Sequence, residues 1–350
     1  MEEKYKIIND RLNEYCKRID DTIYMEDLHL FFYLTINTVT TIYENDIAYQ
    51  SSIEKYASIY SFYQKRNIYL SSTQSLDIVR NFIKNKIPVF LDNFDEYIKN
   101  GVLDFIDSDT TTENDYSYSG ISDDNKREIH AIINHNYEDL ETIIHEFIHQ
   151  LNLEESPVSK TTRLLLTEGI SIYFEMLLFK YLEEKGYNIE EISKIKKMRI
   201  NDCARISDEI LTELTLIDSY MKFGSINENT WKDRKELCDF GWSNKEGFEF
   251  EIRNLLGDKK EYKFKYINNI GYIVGTLIAF YAINQPNDEM TNKFIKLNEL
   301  VNTENFYECL KYIGIDFSKD EDIDKLFITF KDEILKINEI YENNHILKKQ

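Results

Sequence analysis

Residues that interrupt helices are scarce in this 350-residue chain. It contains only 3 prolines and 11 glycines, the two residue types that most destabilise a helix interior. Their scarcity predicts long helices with few sharp turns. Hydrophobic residues make up 42% of the chain and charged residues 30%, which is the balance of a globular protein with a sizeable buried core.

Cysteines, signal segments and long apolar runs are also scarce. The 4 cysteines stand far apart with no C-x-x-C pair, which predicts free thiols in a reducing compartment rather than a disulfide framework. The charged N-terminus has no apolar stretch like that of a signal peptide, and the apolar run 270–283 is too short to span a bilayer. These absences predict a cytoplasmic protein, with export without a cleavable signal as the alternative.

Positively charged residues are fewer than negatively charged ones. The 42 Lys and Arg residues against 63 Asp and Glu residues give a formal net charge of −21. A field of this sign repels phosphate groups, so we expect neither nucleic acid nor an anionic membrane as a partner. The same field mildly favours basic peptides, although an acidic surface also serves solubility alone.

The pattern of apolar residues predicts a mainly helical α+β fold with a small mixed sheet. Short β-branched or apolar runs predict strands at 67–71, 88–91, 102–106 and 128–134. Apolar periodicity predicts helices at 28–43, around 53–60, from Ser75 to about 84, and at 137–153, 161–185, 190–220, 265–283, 288–312 and 320–343. The polar stretch 107–127 is predicted to be a surface loop.

Histidine is rare, at 6 residues, yet two of them form the motif H-E-x-x-H at His145-Glu146-Phe147-Ile148-His149. His145 and His149 lie one turn apart on the same face of a predicted helix and can bind one metal ion. Glu146 lies about 100° round the helix, from where its carboxylate can reach a water on the metal. The alternative is a pair of helix histidines without a metal.

A third ligand is available in the next predicted helix. Glu168 stands in an otherwise apolar run that begins at Leu164, where a charge is costly unless it is paired or bound to a metal. A catalytic zinc site takes three protein ligands and leaves one position for water. Glu168 is therefore the predicted third ligand, with a buried ion pair to a Lys or Arg as the alternative.

These motifs resemble those of the gluzincins, as in the zinc aminopeptidase superfamily. H-E-x-x-H is followed by 18 intervening residues and a glutamate, and the run 166–175 keeps that superfamily's Glu, Gly, Tyr and second Glu in register. Tyr272 and Gly275 match its later Y-x-x-G pattern, which is also similar to that of the YjaZ-like predicted zinc proteases. The resemblance covers 145–175 and 266–282, under a fifth of the chain.

The resemblance implies a zincin-like fold and a peptidase with one Zn²⁺ per chain. It assigns the metal to His145, His149 and Glu168, the role of general base to Glu146, and oxyanion stabilisation to Tyr272. A peptide or protein is the implied substrate. We also expect strand 128–134 to lie beside the cleft and to offer its edge to an extended peptide.

Departures from the pattern narrow the expected activity. The chain lacks the G-x-M-E-N segment that holds a substrate's amino terminus, which favours an endopeptidase or oligopeptidase over an aminopeptidase. Ile172 stands where thermolysin-like enzymes have an Asp that orients a zinc histidine, so we expect Glu175 to take that role. Two alternatives stay open: Glu155 as a metzincin-like ligand and Tyr266 sharing the oxyanion role.

The predicted organisation has three parts. We expect a helical N-terminal segment at 1–66, a catalytic core with the sheet and the metal-binding helices at 67–185, and a helical C-terminal subdomain that completes the cleft at 186–350. Two other functions compete with a general peptidase. One is a non-catalytic interaction or regulatory protein on a zincin scaffold, against which the intact Glu146 speaks. The other is a toxin-like endopeptidase with a single target.

Overall fold

The computed structural model describes residues 2–19, 25–46, 68–108, 117–122, 126–152, 160–237, 245–256 and 266–347. Over these residues the fold is mainly helical α+β with a small mixed sheet, which confirms the predicted class. The helix predicted around 53–60 lies outside the described residues. None of the described helices is both long and apolar enough to cross a bilayer.

The helices follow in chain order. They are α1 Glu2–Ile19, α2 Met25–Asn45, α3 Ser72–Lys86, α4 Leu91–Lys99, α5 Glu138–Leu151, α6 Lys160–Glu184, α7 Ile189–Phe223, α8 Trp231–Leu237, α9 Lys245–Leu256, α10 Tyr266–Ile283, α11 Asn287–Leu300, α12 Phe306–Tyr312 and α13 Asp320–Leu347. The strands are β1 Leu103–Asp107, β2 Tyr118–Ile121 and β3 Arg127–Ile133. The long helices predicted from apolar periodicity match α5, α6, α7, α10 and α13 to within a few residues.

The chain divides into two compact units. The first comprises Met1–Ile59 with Ile200–Val274, and the second comprises Tyr60–Arg199 with Gly275–Gln350. The predicted division at 1–66, 67–185 and 186–350 stays a prediction. In the first unit, Val39 of α2 and Leu211 of α7 are buried together, with Phe32 and Ile36 packed against them.

The second unit contains the sheet and the helices that pack on it. Strand order is β1-β3-β2, with β1 parallel to β3 and β2 antiparallel to it. Helix α5 packs against β3 and against α6, while α6 also contacts α11 and α12. Residues Ile129, Ala131 and Ile133 of β3 are buried and alternate with half-buried ones, so one face of β3 belongs to the core.

Three details of the predicted sheet region were wrong. Pro88 starts a 3₁₀ turn at Pro88–Phe90 that leads into α4, because proline suits the first turn of a helix. Residues 68–71 form no strand, and Ser71 caps α3 through a capping box with Gln74. The predicted loop 107–127 contains β2, so β3 is the central strand and is paired on both sides. It therefore offers no free edge along its paired residues.

A close backbone crossing joins α6 to α10 beside Glu168. A Cβ built on Gly275 would lie 2.6 Å from the backbone nitrogen of Gly169 and 2.8 Å from its Cα. Real Cβ atoms do not approach so closely, so position 275 requires glycine, and a Cβ on Gly169 would make a tight contact of 3.0 Å with the Gly275 Cα. The crossing involves the glycine that directly follows Glu168, and it brings the part of α10 that starts at Gly275 against this turn of α6.

Candidate metal centre

The helix that carries H-E-x-x-H follows a hydrogen-bonded turn. The Asp139 carboxylate accepts hydrogen bonds from the backbone N–H groups of Asn134 at 2.7 Å and Asn136 at 3.2 Å. The side chain of Asn136 accepts from the backbone N–H of Glu138 at 2.7 Å. The Asn136 side chain thus satisfies the N–H of the first helical residue, which a helix start leaves unpaired, and the acidic first turn suits the helix dipole. The two contacts of Asp139 hold the chain between β3 and the start of α5.

Apolar contacts hold the other faces of α5. Ile144, Phe147 and Ile148 are buried, and the Phe147 ring meets those of Phe94 and Tyr97 at centroid distances of 5.0 and 5.8 Å. Burying a side chain of this size contributes about 1.5–3 kcal/mol. Rotation of α5 would expose these residues, so their packing fixes the direction in which the two histidines point.

The three predicted metal ligands converge on one point. The Nε2 atoms of His145 and His149 lie 2.9 Å apart. One carboxylate oxygen of Glu168 lies 3.5 Å from His145 Nε2, and the other lies 3.4 Å from His149 Nε2. Within the described parts of the chain, this is the one group of His, Cys, Asp and Glu residues whose ligand atoms all lie within 4.8 Å of one another.

The geometry and the donor set fit a zinc ion. In a tetrahedral zinc site with bonds of about 2.0–2.1 Å, ligand atoms stand about 3.3 Å apart. The separations between the ligand atoms here are 2.9, 3.4 and 3.5 Å. Oε2 of Glu168 is buried without a hydrogen-bond partner among the described residues, which is unusual for a polar atom unless a ligand occupies the site. Two imidazoles and a carboxylate are a zinc donor set.

The pKa shifts of His145 and Glu168 suit a cation between these groups. Burial and the neighbouring His149 lower the pKa of His145 to about 4, so its imidazole is neutral at neutral pH. Burial opposes the charge of Glu168, but His149 and His145 outweigh it and lower the pKa of this carboxyl to about 2. Burial likewise opposes the charge of His149, yet Glu168 raises its pKa overall. A charged carboxylate therefore faces the two rings.

Glu175 lies behind His145, on the side away from the cluster. Its carboxylate is fully buried and contacts Nδ1 of His145. With the proton on Nδ1, this ring nitrogen donates to Glu175 and the lone pair on Nε2 faces Glu168. Ile172, which stands where thermolysin-like enzymes have the orienting Asp, is fully buried.

A charged network that the sequence reasoning missed surrounds Glu175. Nη2 of Arg199 lies 2.9 Å from both carboxylate oxygens of Glu175 and also contacts Glu141. Burial raises the pKa of Glu175, and the Arg199 charge opposes that rise. Burial also raises the pKa of Glu141, to about 8, against the opposing charge of Arg199. No local spacing reveals this network, because Arg199 is 24 residues from Glu175 and 58 from Glu141.

Of the remaining predicted residues, Glu146 and Tyr272 lie within the described residues. Glu146 is 8% exposed, in α5. Tyr272 is half-buried in α10 and belongs to the first compact unit, so its role stays a prediction from the sequence. Glu155 and the side chain of Tyr266 lie outside the described residues. Asn152 adopts a right-handed conformation, with φ −89°, rather than the left-handed turn that a metzincin-like pattern places there.

Comparisons with known proteins identify the fold. No protein-family model matches the chain, and no curated protein matches it significantly in sequence. Among solved structures the chain is similar to a candidate peptidase of Chlamydophila abortus, with a TM-score of 0.60, 15% identity, and coverage of 91% of this chain and 56% of that one. It is also similar to a candidate oligoendopeptidase F of Bacillus anthracis str. Ames, with a TM-score of 0.56, 14% identity, and coverage of 92% and 58%.

A third similar structure is PZ peptidase A with inhibitor 2. Its TM-score is 0.54 at 14% identity, and the match covers 92% of this chain and 61% of that one. The chain thus spans less than two thirds of the length of each of these proteins. Identities this low establish a shared fold, so the chain has the fold of proteins described as peptidases.

Proposed function

We propose that this chain is a zinc-dependent peptidase of the gluzincin type, acting on peptides as an endopeptidase or oligopeptidase. The observation that carries the proposal is the convergence of His145 Nε2, His149 Nε2 and the Glu168 carboxylate, with ligand atoms all within 4.8 Å of one another. The shared fold with proteins described as peptidases supports the reaction class. The side chains of the three residues are 10–16% exposed, which supports access by water.

Each residue of the site has a defined task in this proposal. His145, His149 and Glu168 would hold the metal through two nitrogens and one oxygen. A zinc ion held there would supply a water of lowered pKa and would polarise the scissile carbonyl. Glu146 accepts the proton of the attacking water and delivers it to the leaving nitrogen. Glu175 keeps the His145 ring in the orientation and tautomer that present Nε2 to the site.

Tyr272 completes the proposal as the donor to the oxyanion of the tetrahedral intermediate. The basis is its Y-x-x-G spacing to Gly275 in α10. A single donor of this kind contributes about 3 kcal/mol to transition-state stabilisation. The absence of a G-x-M-E-N segment from the sequence supports internal cleavage or oligopeptide cleavage over removal of single N-terminal residues.

The test measures zinc content and hydrolysis of a fluorescence-quenched peptide mixture side by side. The variants are Glu146→Gln, which cannot accept a proton, and Glu168→Ala, which removes a ligand. Glu184→Gln, at an exposed position of the same helix as Glu168, is the control. We expect about one zinc per wild-type chain. Glu146→Gln should keep the metal and lose turnover by about 100-fold or more, while Glu168→Ala should lose the metal.

Two results would contradict the proposal in different ways. Zinc binding that survives Glu168→Ala unchanged would show that the third ligand is another residue. A wild-type protein that binds zinc but cleaves no peptide in the mixture would favour the non-catalytic scaffold. The Glu184→Gln control should match the wild type in both measurements.

A further inference from the structure

Glu175 is a buried carboxylate next to one of the proposed metal ligands. It is completely inaccessible to solvent, and His145 contacts it through Nδ1. A buried anion is costly unless a cation or several hydrogen bonds compensate it. The His145 ring supplies one contact to this carboxylate, through Nδ1, so the other lone pairs of Glu175 need a further partner that fixes the carboxylate in place.

Arg199 of α7 is that partner. Its Nη2 lies 2.9 Å from each carboxylate oxygen of Glu175, and its own side chain is only 15% exposed. Arginine suits this place because its planar, weakly hydrated guanidinium loses less on burial than an ammonium group. Contact with both oxygens restrains rotation of the carboxylate as well as its position.

Glu141 holds Arg199 from the opposite helix. It lies in α5, one turn before His145, and contacts the same Nη2 atom of Arg199. The guanidinium therefore joins α5, which carries the histidines, to α6, which carries Glu168 and Glu175. Through this one side chain, the part of α7 that belongs to the second unit contacts both metal-binding helices.

We propose that Arg199 is a positioning residue of the metal centre, which acts by clamping Glu175 against Nδ1 of His145 while Glu141 anchors its guanidinium. This inference rests on the metal site of the proposed function but not on peptide hydrolysis. Partners of this kind orient a ligand and raise its basicity, and their loss commonly weakens metal binding about 10- to 100-fold.

The experiment measures the zinc dissociation constant by competition with a chelating dye, together with the thermal stability of the metal-free protein. The variants are Arg199→Met, Arg199→Lys and Glu175→Gln. We expect Arg199→Met to weaken zinc binding about 10- to 100-fold and Arg199→Lys to weaken it less, because lysine keeps the charge. Arg80→Met, which breaks the Arg80–Asp95 pair in the same compact unit, is the control and should leave zinc binding unchanged.

A double-mutant cycle tests whether Arg199 acts through Glu175. If it does, Arg199→Met should weaken zinc binding no further in a Glu175→Gln background. Additional weakening equal to that of the single substitution would overturn the proposal, because the two residues would then act independently. Unchanged zinc affinity in a folded Arg199→Met variant would overturn it as well and would assign Arg199 a structural role alone.

A second variant covers the case in which Arg199→Met does not fold. Replacing Arg199 by methionine and Glu175 by glutamine together removes the guanidinium and the buried carboxylate charge that it compensates, which proteins tolerate better than the loss of one partner alone. This protein should fold and bind zinc more weakly than the wild type, and binding equal to the wild type would reject the inference. The wild-type protein could cleave no peptide while the Arg199 variants still bind zinc more weakly. That result would reject the catalytic proposal and support the positioning role of Arg199.

Discussion

At the scale of single residues, two carboxylates of one helix have different environments. Glu168 and Glu175 are separated by two helical turns and therefore share a face of α6. Glu168 is partly accessible and faces both imidazoles, whereas Glu175 is fully buried between His145 and Arg199. The first arrangement suits a metal ligand, and the second suits a residue that orients one.

His135 offers a residue-scale prediction of pH dependence. Its Nδ1 lies 3.1 Å from the carbonyl oxygen of Leu70, and its Nε2 lies 3.1 Å from the Asp107 carboxylate. Both partners are acceptors, so only the doubly protonated ring can donate to both. The hydrogen bond to Asp107 raises the pKa of His135; burial opposes this rise, and the Leu70 contact and the charges of Asp107 and Asp139 add to it.

The raised pKa of His135 determines the direction in which the stability of the fold changes with pH. The charged ring stabilises the fold fully below the unfolded-state pKa of about 6.5, and this contribution is lost as the pH rises through the higher folded-state value. We expect His135→Asn, which tolerates the observed φ of 56°, to lower the denaturation midpoint more at about pH 6 than at about pH 8.5. An equal difference at both pH values would contradict this prediction. The control is His29→Asn, at an exposed position of α2.

At the scale of elements, the crossing of α6 and α10 gives a prediction with a definite sign. Helix propensity alone predicts that Gly→Ala in a helix interior stabilises by about 1 kcal/mol. At Gly275 the added methyl would meet the Gly169 backbone at 2.6 Å. We therefore expect Gly275→Ala to lower the free energy of unfolding by about 1–3 kcal/mol or more.

Gly169→Ala provides a graded comparison for this prediction. Its Cβ would lie 3.0 Å from the Gly275 Cα, a less severe contact than that of Gly275→Ala. Chemical denaturation should therefore rank the two variants, with Gly275→Ala the less stable one. A gain in stability from either substitution would show that the helices separate readily at this crossing.

Elements differed in how well the sequence predicted them. The long helices follow from apolar periodicity, because a period of 3.6 residues over many turns is a strong local signal. Val89 and Phe90 have β-forming side chains, yet Pro88 starts a helical turn there that buries Phe90 and leaves Val89 60% exposed. Strand β2 is short and polar, and it exists because β3 offers hydrogen-bonding groups beside it.

At the scale of the whole molecule, the net charge of −21 predicts salt-dependent substrate preference. A field of this strength attracts cationic peptides over distances that shrink from about 30 Å at 0.01 M salt to about 10 Å at 0.1 M. Two peptides with the same central sequence and either Lys or Glu at their ends should therefore differ in kcat/KM. We expect the Lys-ended peptide to be preferred several-fold at low salt.

The salt dependence separates this field from local contacts. The ratio of the two kcat/KM values should approach one as the salt concentration rises. This change should arise mainly from KM or from the association rate. A preference for Lys-ended peptides that does not change with salt would indicate direct contacts at the binding site instead. A neutral pair of peptides of equal length serves as the reference for general salt effects on the reaction.

The sequence by itself determined the helical class, the H-E-x-x-H helix and the candidate ligand Glu168. These depend on local periodicity and on a costly charge in an apolar run, which are both readable within a few turns. Only the tertiary structure decided that β3 lies in the centre of the sheet, that Gly169 meets Gly275, and that Arg199 and Glu141 enclose Glu175. Such contacts join residues that are distant in the chain, and their energies depend on packing that no local pattern specifies.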